Sequence, residues 1–137
     1  MKVLLIRHGE SLNNELRAQS QSLYEHSRSS DPAMSEKGHR ETLELGATMK
    51  SLGIKIDAIY TSGFLRAVQS AKILREGYST PETPINLMVK LHEQGGCHVK
   101  GKTQPGMSKS KVLEVVPDLI IGEKEPIDDE GWWKAEQ

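Results

Sequence analysis

The chain has 137 residues, 36% of them hydrophobic and 27% charged, with a formal net charge of −1. That length suits one domain around one core, and the near-neutral balance argues against general nucleic-acid binding, which needs a basic excess. No apolar run approaches the length of a membrane span, no secretory signal is read ahead of the first apolar run, and the lone Cys97 excludes an internal disulfide, so a cytoplasmic protein is expected.

Val3, Leu4, Leu5 and Ile6 form an unbroken apolar run that predicts a short buried strand. The run ends in Arg7, His8 and Gly9, and Ser11 with Asn13 or Asn14 can open a helix immediately afterwards. A strand that hands over to a helix in this way places Arg7 and His8 at the carboxyl end of a sheet, where open α/β sheets bind ligands. The pair offers a permanent cation beside a nucleophile that titrates near neutrality, which suits a phosphate.

The helix is expected from Ser11 to about Ser22, followed by a loop from Tyr24 to Asp31 in which His26 and Arg28 read as solvated surface. Ser35 is the expected N-cap of a second helix running to about Leu52 and ended by Gly53. Leu45, Met49 and Leu52, flanked by Leu43 and Ala47, are its expected buried face. Ile54 to Tyr60 predicts a second strand. The turn Thr61-Ser62-Gly63 can cap a helix from Phe64 to about Arg75, with Ala67, Ala71 and Leu74 along its apolar line.

Arg66 falls in the first turn of that helix. A cation there opposes the helix dipole at a cost of about a few tenths of a kcal/mol unless an anion is nearby, so it reads equally as a surface cation or as an anion ligand. Ile85 to Leu91 predicts a third strand, ending in His92-Glu93-Gln94-Gly95-Gly96. Strand alternation points His92 and Glu93 to opposite sides, so one of the two faces a pocket. Cys97 to Ser110 reads as a long loop, with Cys97 taken as an inert thiol rather than a nucleophile. Ser108 can cap a short helix through Val115 and Val116, stopped by Pro117. Trp132 and Trp133, the only tryptophans, imply contact with the body, a partner or a continuation of the chain.

Three strand ends thus offer Arg7 and His8, Arg66, and Glu93. Two guanidiniums can grip a phosphoryl group, a neutral imidazole can attack phosphorus, and a carboxylic acid can protonate the departing oxygen. These are the parts of phosphomonoester cleavage through a phosphohistidine.

The segment Arg7-His8-Gly9-Glu10-Ser11 with Asn14 resembles the signature of the histidine phosphatase superfamily, also called phosphoglycerate mutase-like. Asp31-Pro32-Ala33-Met34-Ser35-Glu36-Lys37-Gly38 is similar to that family's turn before its second helix. Thr61 to Ala71 resembles its second arginine motif, and Leu91-His92-Glu93 occupies the place of its acid. The resemblance implies a three-layer α/β/α sandwich, an α/β fold, over a single domain 1–137 that is shortened on its C-terminal side. It implies His8 as phosphorylated nucleophile, Glu93 as proton donor, Arg7 and Arg66 as phosphate ligands, and Ser11 and Asn14 near the phosphate or entering substrate. It implies no metal and no organic cofactor.

The expected partners are a small-molecule phosphomonoester and inorganic phosphate, without nucleic acid or membrane, and a second copy of the chain covering the shortened side. The family carries an Arg-His-Tyr-type run after the acid in its phosphoglycerate mutases; Gln94-Gly95-Gly96 stands there in this chain, which favours a phosphatase. The family also places a second catalytic histidine, followed by glycine, on a later strand, and no His-Gly follows Gly9 here. His92 and His98 are the available substitutes, one expected to face away and one on a loop. A phosphate-binding protein without turnover is therefore the competing reading, and a phosphoglycerate-type mutase a third.

Overall fold

The chain turns from extended backbone into helix at Ser11, and the turn is tightly specified. In the computed structural model, which describes residues 1–134, Ser11 Oγ accepts from the Asn14 backbone N–H, while Asn14 Oδ1 accepts from the Ser11 N–H at 3.0 Å. This reciprocal cap opens α1 (Leu12–Gln19). The expected single helix is in fact two. Ser20, with φ −167° and ψ 136°, ends α1 and caps α2 (Gln21–Ser27) by accepting from the Leu23 N–H. A serine whose side chain can satisfy a helix start competes with helix continuation, so helix now occupies part of the expected loop.

Ser35 caps α3 (Glu36–Ser51) as expected, its Oγ accepting from the Gly38 N–H, and Gly53 follows with φ 69°. The buried face differs from the expected leucine stripe. Gly38, Thr42, Gly46 and Met49 are buried, whereas Leu43, Leu45 and Leu52 are exposed. The reason lies in the partner helix. After β1 (Ile59–Thr61), the chain forms α4 (Leu65–Tyr78), which lies against α3 at backbone distance. A Cβ on Gly46 would strike the Leu74 carbonyl, and one on Gly77 the Leu43 carbonyl. Small residues, not leucines, permit that approach.

β1 pairs in parallel with β2 (Ile85–Leu87), Ile59 opposite Ile85 and Thr61 opposite Leu87. The strand expected to reach Leu91 stops at Leu87, and Val89–Leu91 is a 3₁₀ turn. Ile120 lies on the other side of β2 through a parallel bridge to Asn86. The expected loop from Cys97 contains a hairpin, β3 (His98–Val99) against β4 (Lys102–Thr103), turned by Lys100 and Gly101, both with positive φ. Ser108 then caps α5 (Lys109–Val115).

The core gathers Phe64, Val68, Ile85, Leu87, Val89, Cys97, Val112, Val116 and Trp132 between helix α4, strand β2 and the later segments. Trp132 is 2% exposed, so the tryptophan pair folds back onto the body. It meets Phe64 edge to face at 4.9 Å. Among the described residues no helix is long and apolar enough to cross a membrane.

The N-terminal strand needs correction. Residues 2–6 pair with no strand among the described residues, and Val3 and Leu5 are 67% and 94% exposed. An apolar run is buried in a sheet only when a strand pairs with it and a layer covers it; β1 pairs with β2 alone, and residues 2–6 do not join its other edge. The fold is α/β, with this apolar run at its margin.

Candidate active site

The site starts where the unpaired segment meets the helices. Gly9 is wedged beneath α3: a Cβ there would lie 2.5 Å from Met34 Cε, 2.6 Å from Thr42 Oγ1 and 2.8 Å from the Gly38 carbonyl. Only glycine lets the chain pass at this distance. The Glu10 carbonyl accepts from the Ser35 N–H at 2.8 Å, and its carboxylate accepts from Ser35 Oγ at 2.7 Å. The loop after His8 is therefore fixed to the start of α3, and Glu10 is engaged in that joint.

His8 is half-buried. Its Nδ1 lies 2.7 Å from the Gly9 carbonyl oxygen. A carbonyl only accepts, so this bond is made by Nδ1–H, and the neutral ring then carries its lone pair on Nε2. The imidazole is held below the usual histidine range, first by burial and then by the positive charges of Arg66 and Arg7; the bond to Gly9 and the charge of Glu93 oppose the shift. The balance favours the neutral, nucleophilic ring.

Arg66 comes from the first turn of α4. The expected cap from Thr61-Ser62-Gly63 is absent: Phe64 stands at the N-cap position and makes no side-chain cap bond. The locally uncapped helix start is satisfied from 34 residues away, where Asp31 Oδ1 accepts from the Leu65 N–H at 2.9 Å. Asp31 also brings a carboxylate toward Arg66, although burial dominates and holds its carboxyl above the usual range. The Arg66 guanidinium lies over the Phe64 ring at 4.0 Å and is largely buried. Its Nη2 donates to Glu93 Oε2 at 2.8 Å. Glu93 itself is exposed, so it is the solvent-facing member of the pair.

Of the residues singled out in the sequence, Arg66 and Glu93 are bonded to each other, and their charges and that of Arg7 act on His8. Arg7 is exposed beside His8. Ser11 is 2% exposed and serves the cap of α1 together with Asn14, whose Oδ1 is used there; what Asn14 has left to offer an anion is its amide N–H₂ group. The two later histidines are turned to other uses. The His92 ring packs against Trp132 and Trp133 at 5.8 and 5.0 Å. The exposed His98 ring contacts the Gly96 carbonyl at 3.4 Å. Cys97 is buried, and burial together with the nearby Asp31 charge pushes its thiol up to about 12, which makes it inert.

Three contributors escaped the sequence reading. Asp31 caps α4, Gln69 Oε1 accepts from the Met34 N–H at 2.8 Å, and Ser70 Oγ accepts from the Gly9 N–H at 3.0 Å. All three lie in segments that the family resemblance sets apart, but each acts across the fold, and no local pattern shows its partner.

The sequence profile of the histidine phosphatase superfamily (branch 1) matches residues 3–115. The chain is 31% identical over 113 residues to a phosphoglycerate mutase of Candida albicans, covering 82% of this chain and 41% of that one. It is 36% identical over 99 residues to a 2,3-bisphosphoglycerate-dependent phosphoglycerate mutase of Bartonella tribocorum, covering 72% of this chain and 45% of that one. The chain thus spans less than half the length of these relatives. Among solved structures, it resembles the ecdysone phosphate phosphatase EPPase from Bombix mori in complex with tungstate. The TM-score is 0.51 at 15% identity, over 83% of this chain and 68% of that one, a likeness of fold.

Proposed function

Because the chain belongs to the histidine phosphatase superfamily, we propose that its site cleaves phosphomonoesters through a phosphohistidine at His8. The observation that carries this reading is the convergence on one imidazole. His8 has Nδ1 committed to the Gly9 carbonyl and is acted on by the charges of Arg66, Arg7 and Glu93. The structural neighbour is in complex with tungstate, an oxyanion, which supports an oxyanion as the ligand.

In the proposed reaction, Arg66 and Arg7 hold the phosphoryl oxygens, and His8 Nε2 attacks phosphorus as the ester P–O bond breaks. The departing oxygen takes a proton from the Glu93 carboxyl. For that, Glu93 must carry a proton when the ester bond breaks. Water then attacks the phosphohistidine, passes a proton to the Glu93 carboxylate and releases inorganic phosphate from His8. The arginines stabilise the transferring group; loss of one such donor costs about 100- to 1,000-fold. Ser11 and Asn14 lie at the start of α1, where the Asn14 amide can meet the phosphate or substrate.

The relatives named as phosphoglycerate mutases favour a second reading, in which the phosphohistidine is discharged to a hydroxyl of a second substrate instead of water. A third reading is phosphate binding without turnover. Hydrolysis of an aryl phosphate by the protein and by His8→Ala separates them. A rate that depends on His8 supports the phosphatase; phosphate binding without hydrolysis supports the third reading. Phosphoryl transfer to 3-phosphoglycerate that outpaces hydrolysis supports the mutase. Equal rates in the two proteins would remove the phosphohistidine.

We read residues 1–137 as one domain acting in the cytoplasm. The exposed apolar run Val3–Ile6 supports a second copy of the chain as its cover. Sedimentation equilibrium tests this, and a protein that stays monomeric at high concentration would exclude it.

A further inference from the structure

A serine inside a helix ordinarily donates to the carbonyl four residues back, and Ser70 does so, with Oγ 2.7 Å from the Arg66 carbonyl oxygen. That bond uses its only proton, because Met34 Sδ at 3.3 Å is a weaker and more distant acceptor. The lone pairs of Oγ remain. One of them receives the Gly9 N–H at 3.0 Å, from a residue 61 positions earlier in the chain. Ser70 is 9% exposed, so water competes poorly for either bond.

The two bonds connect the two halves of the site. Gly9 follows the nucleophile, and its N–H belongs to the peptide group that joins it to His8. The Arg66 carbonyl belongs to the residue that would hold the phosphate. Packing against Met34, Thr42 and Gly38 fixes where Gly9 sits. It leaves a glycine free to rotate its flanking peptides. The Gly9 carbonyl must point at His8 Nδ1 for the ring to keep its lone pair on Nε2. The Ser70 bond holds the N–H side of Gly9, and the joint between Glu10 and Ser35 holds the chain on its carbonyl side, so with both in place little rotation is left to the Gly9 carbonyl.

We propose that Ser70 is a positioning residue, whose hydroxyl couples the Gly9 peptide to the first turn of α4 and thereby holds the His8 ring in its Nδ1–H tautomer, facing the turn that carries Arg66. This rests on the phosphohistidine reading for its catalytic meaning and on the hydrogen-bond geometry alone for its structural part. The methyl group of alanine cannot replace the bond. Threonine retains the hydroxyl on the same Cβ.

The test compares the protein with S70A and S70T by two measurements. Nitrogen-15 spectra of the His8 ring, assigned by its loss in H8A, report the tautomer without any need for turnover. Aryl phosphate kinetics report kcat and KM. The expected result for S70A is a mixed His8 tautomer and a kcat about 10-fold lower with KM nearly unchanged, since misplacement of a reacting group acts on the chemical step. S70T is expected to restore both.

An S70A protein with the original tautomer and kcat overturns the proposal, as does an S70T protein that loses kcat as fully as S70A. Should S70A fail to fold, hydrogen exchange of the Gly9 amide in the unaltered protein decides. Slow exchange is expected, and exchange at the rate of an open loop overturns it. Turnover indifferent to H8A would instead defeat the phosphohistidine reading, while the tautomer measurement still judges Ser70.

Discussion

The Arg66 guanidinium and the Glu93 carboxylate face each other at 2.8 Å, so the candidate phosphate ligand and the candidate acid are bonded to each other. An incoming phosphate competes with Glu93 for Arg66 and meets a like charge. E93Q removes the like charge and leaves only a neutral amide oxygen to compete for Arg66. It is expected to bind inorganic phosphate about threefold or more tightly in calorimetry. The same substitution removes the proton donor, and aryl phosphate turnover is expected to fall by about 100-fold or more. Weaker phosphate binding in E93Q would contradict this account of the pair.

Burial and the charges of Arg66 and Arg7 hold His8 below the ordinary histidine value of 6.5. The acid limb of kcat/KM is therefore expected below that value, and a proton NMR titration of the His8 ring should show the same midpoint. R66A removes one of the opposing charges and is expected to move the midpoint upward. The linkage has a fixed sign. Below the ordinary histidine pKa the unfolded chain binds a proton at this position that the folded chain resists. Stability from this group therefore declines as pH falls through that window. Urea titrations of the protein and H8A at several pH values check it, H8A having the flatter profile.

Asp31 caps α4 through the Leu65 N–H. D31A leaves that donor without its acceptor and is expected to cost about 1 kcal/mol in urea unfolding. D31N keeps an acceptor oxygen and is expected to cost less. Burial holds the Asp31 carboxyl above its usual range, so the folded protein retains a proton that the unfolded chain releases. The contribution of this group thus falls as pH rises through that window, and D31N should remove that slope.

Alanine usually stabilises a helix relative to glycine by about 1 kcal/mol. At Gly77 the sign is expected to reverse, because the added Cβ would strike the Leu43 carbonyl on α3. Overpacking of this kind costs about 1–3 kcal/mol. A G77A protein as stable as the original in urea would show that α3 and α4 do not lie at backbone distance.

What could be read from the sequence was whatever is encoded locally. Ser35 and Ser108 cap the helices that follow them because an N-cap acts over three residues. His8, Arg66 and Glu93 were visible as charged or nucleophilic residues at the ends of apolar runs. The helix break at Ser20 depends on a choice between two satisfactory conformations of one serine, which polar composition does not settle. The face of α3 was misjudged because its neighbour selects small residues; Gly46 and Gly77 carry no hydrophobic signal. The caps and ties from Asp31 and Ser70 join residues 34 and 61 positions apart, and only the fold brings them together. The run Val3–Ile6 has the composition of a buried strand, but burial is a property of neighbours that its own residues cannot specify.

The proposed reaction turns on one covalent bond, between phosphorus and His8 Nε2. The direct measurement is mass spectrometry of the protein mixed with an aryl phosphate, quenched and digested at alkaline pH, where a phosphohistidine survives. A phosphoryl adduct on the peptide carrying His8, lost on brief acid treatment and missing from H8A, is the expected result. Hydrolysis that proceeds at full rate with no acid-labile adduct on that peptide, or with the adduct on another residue, would contradict it.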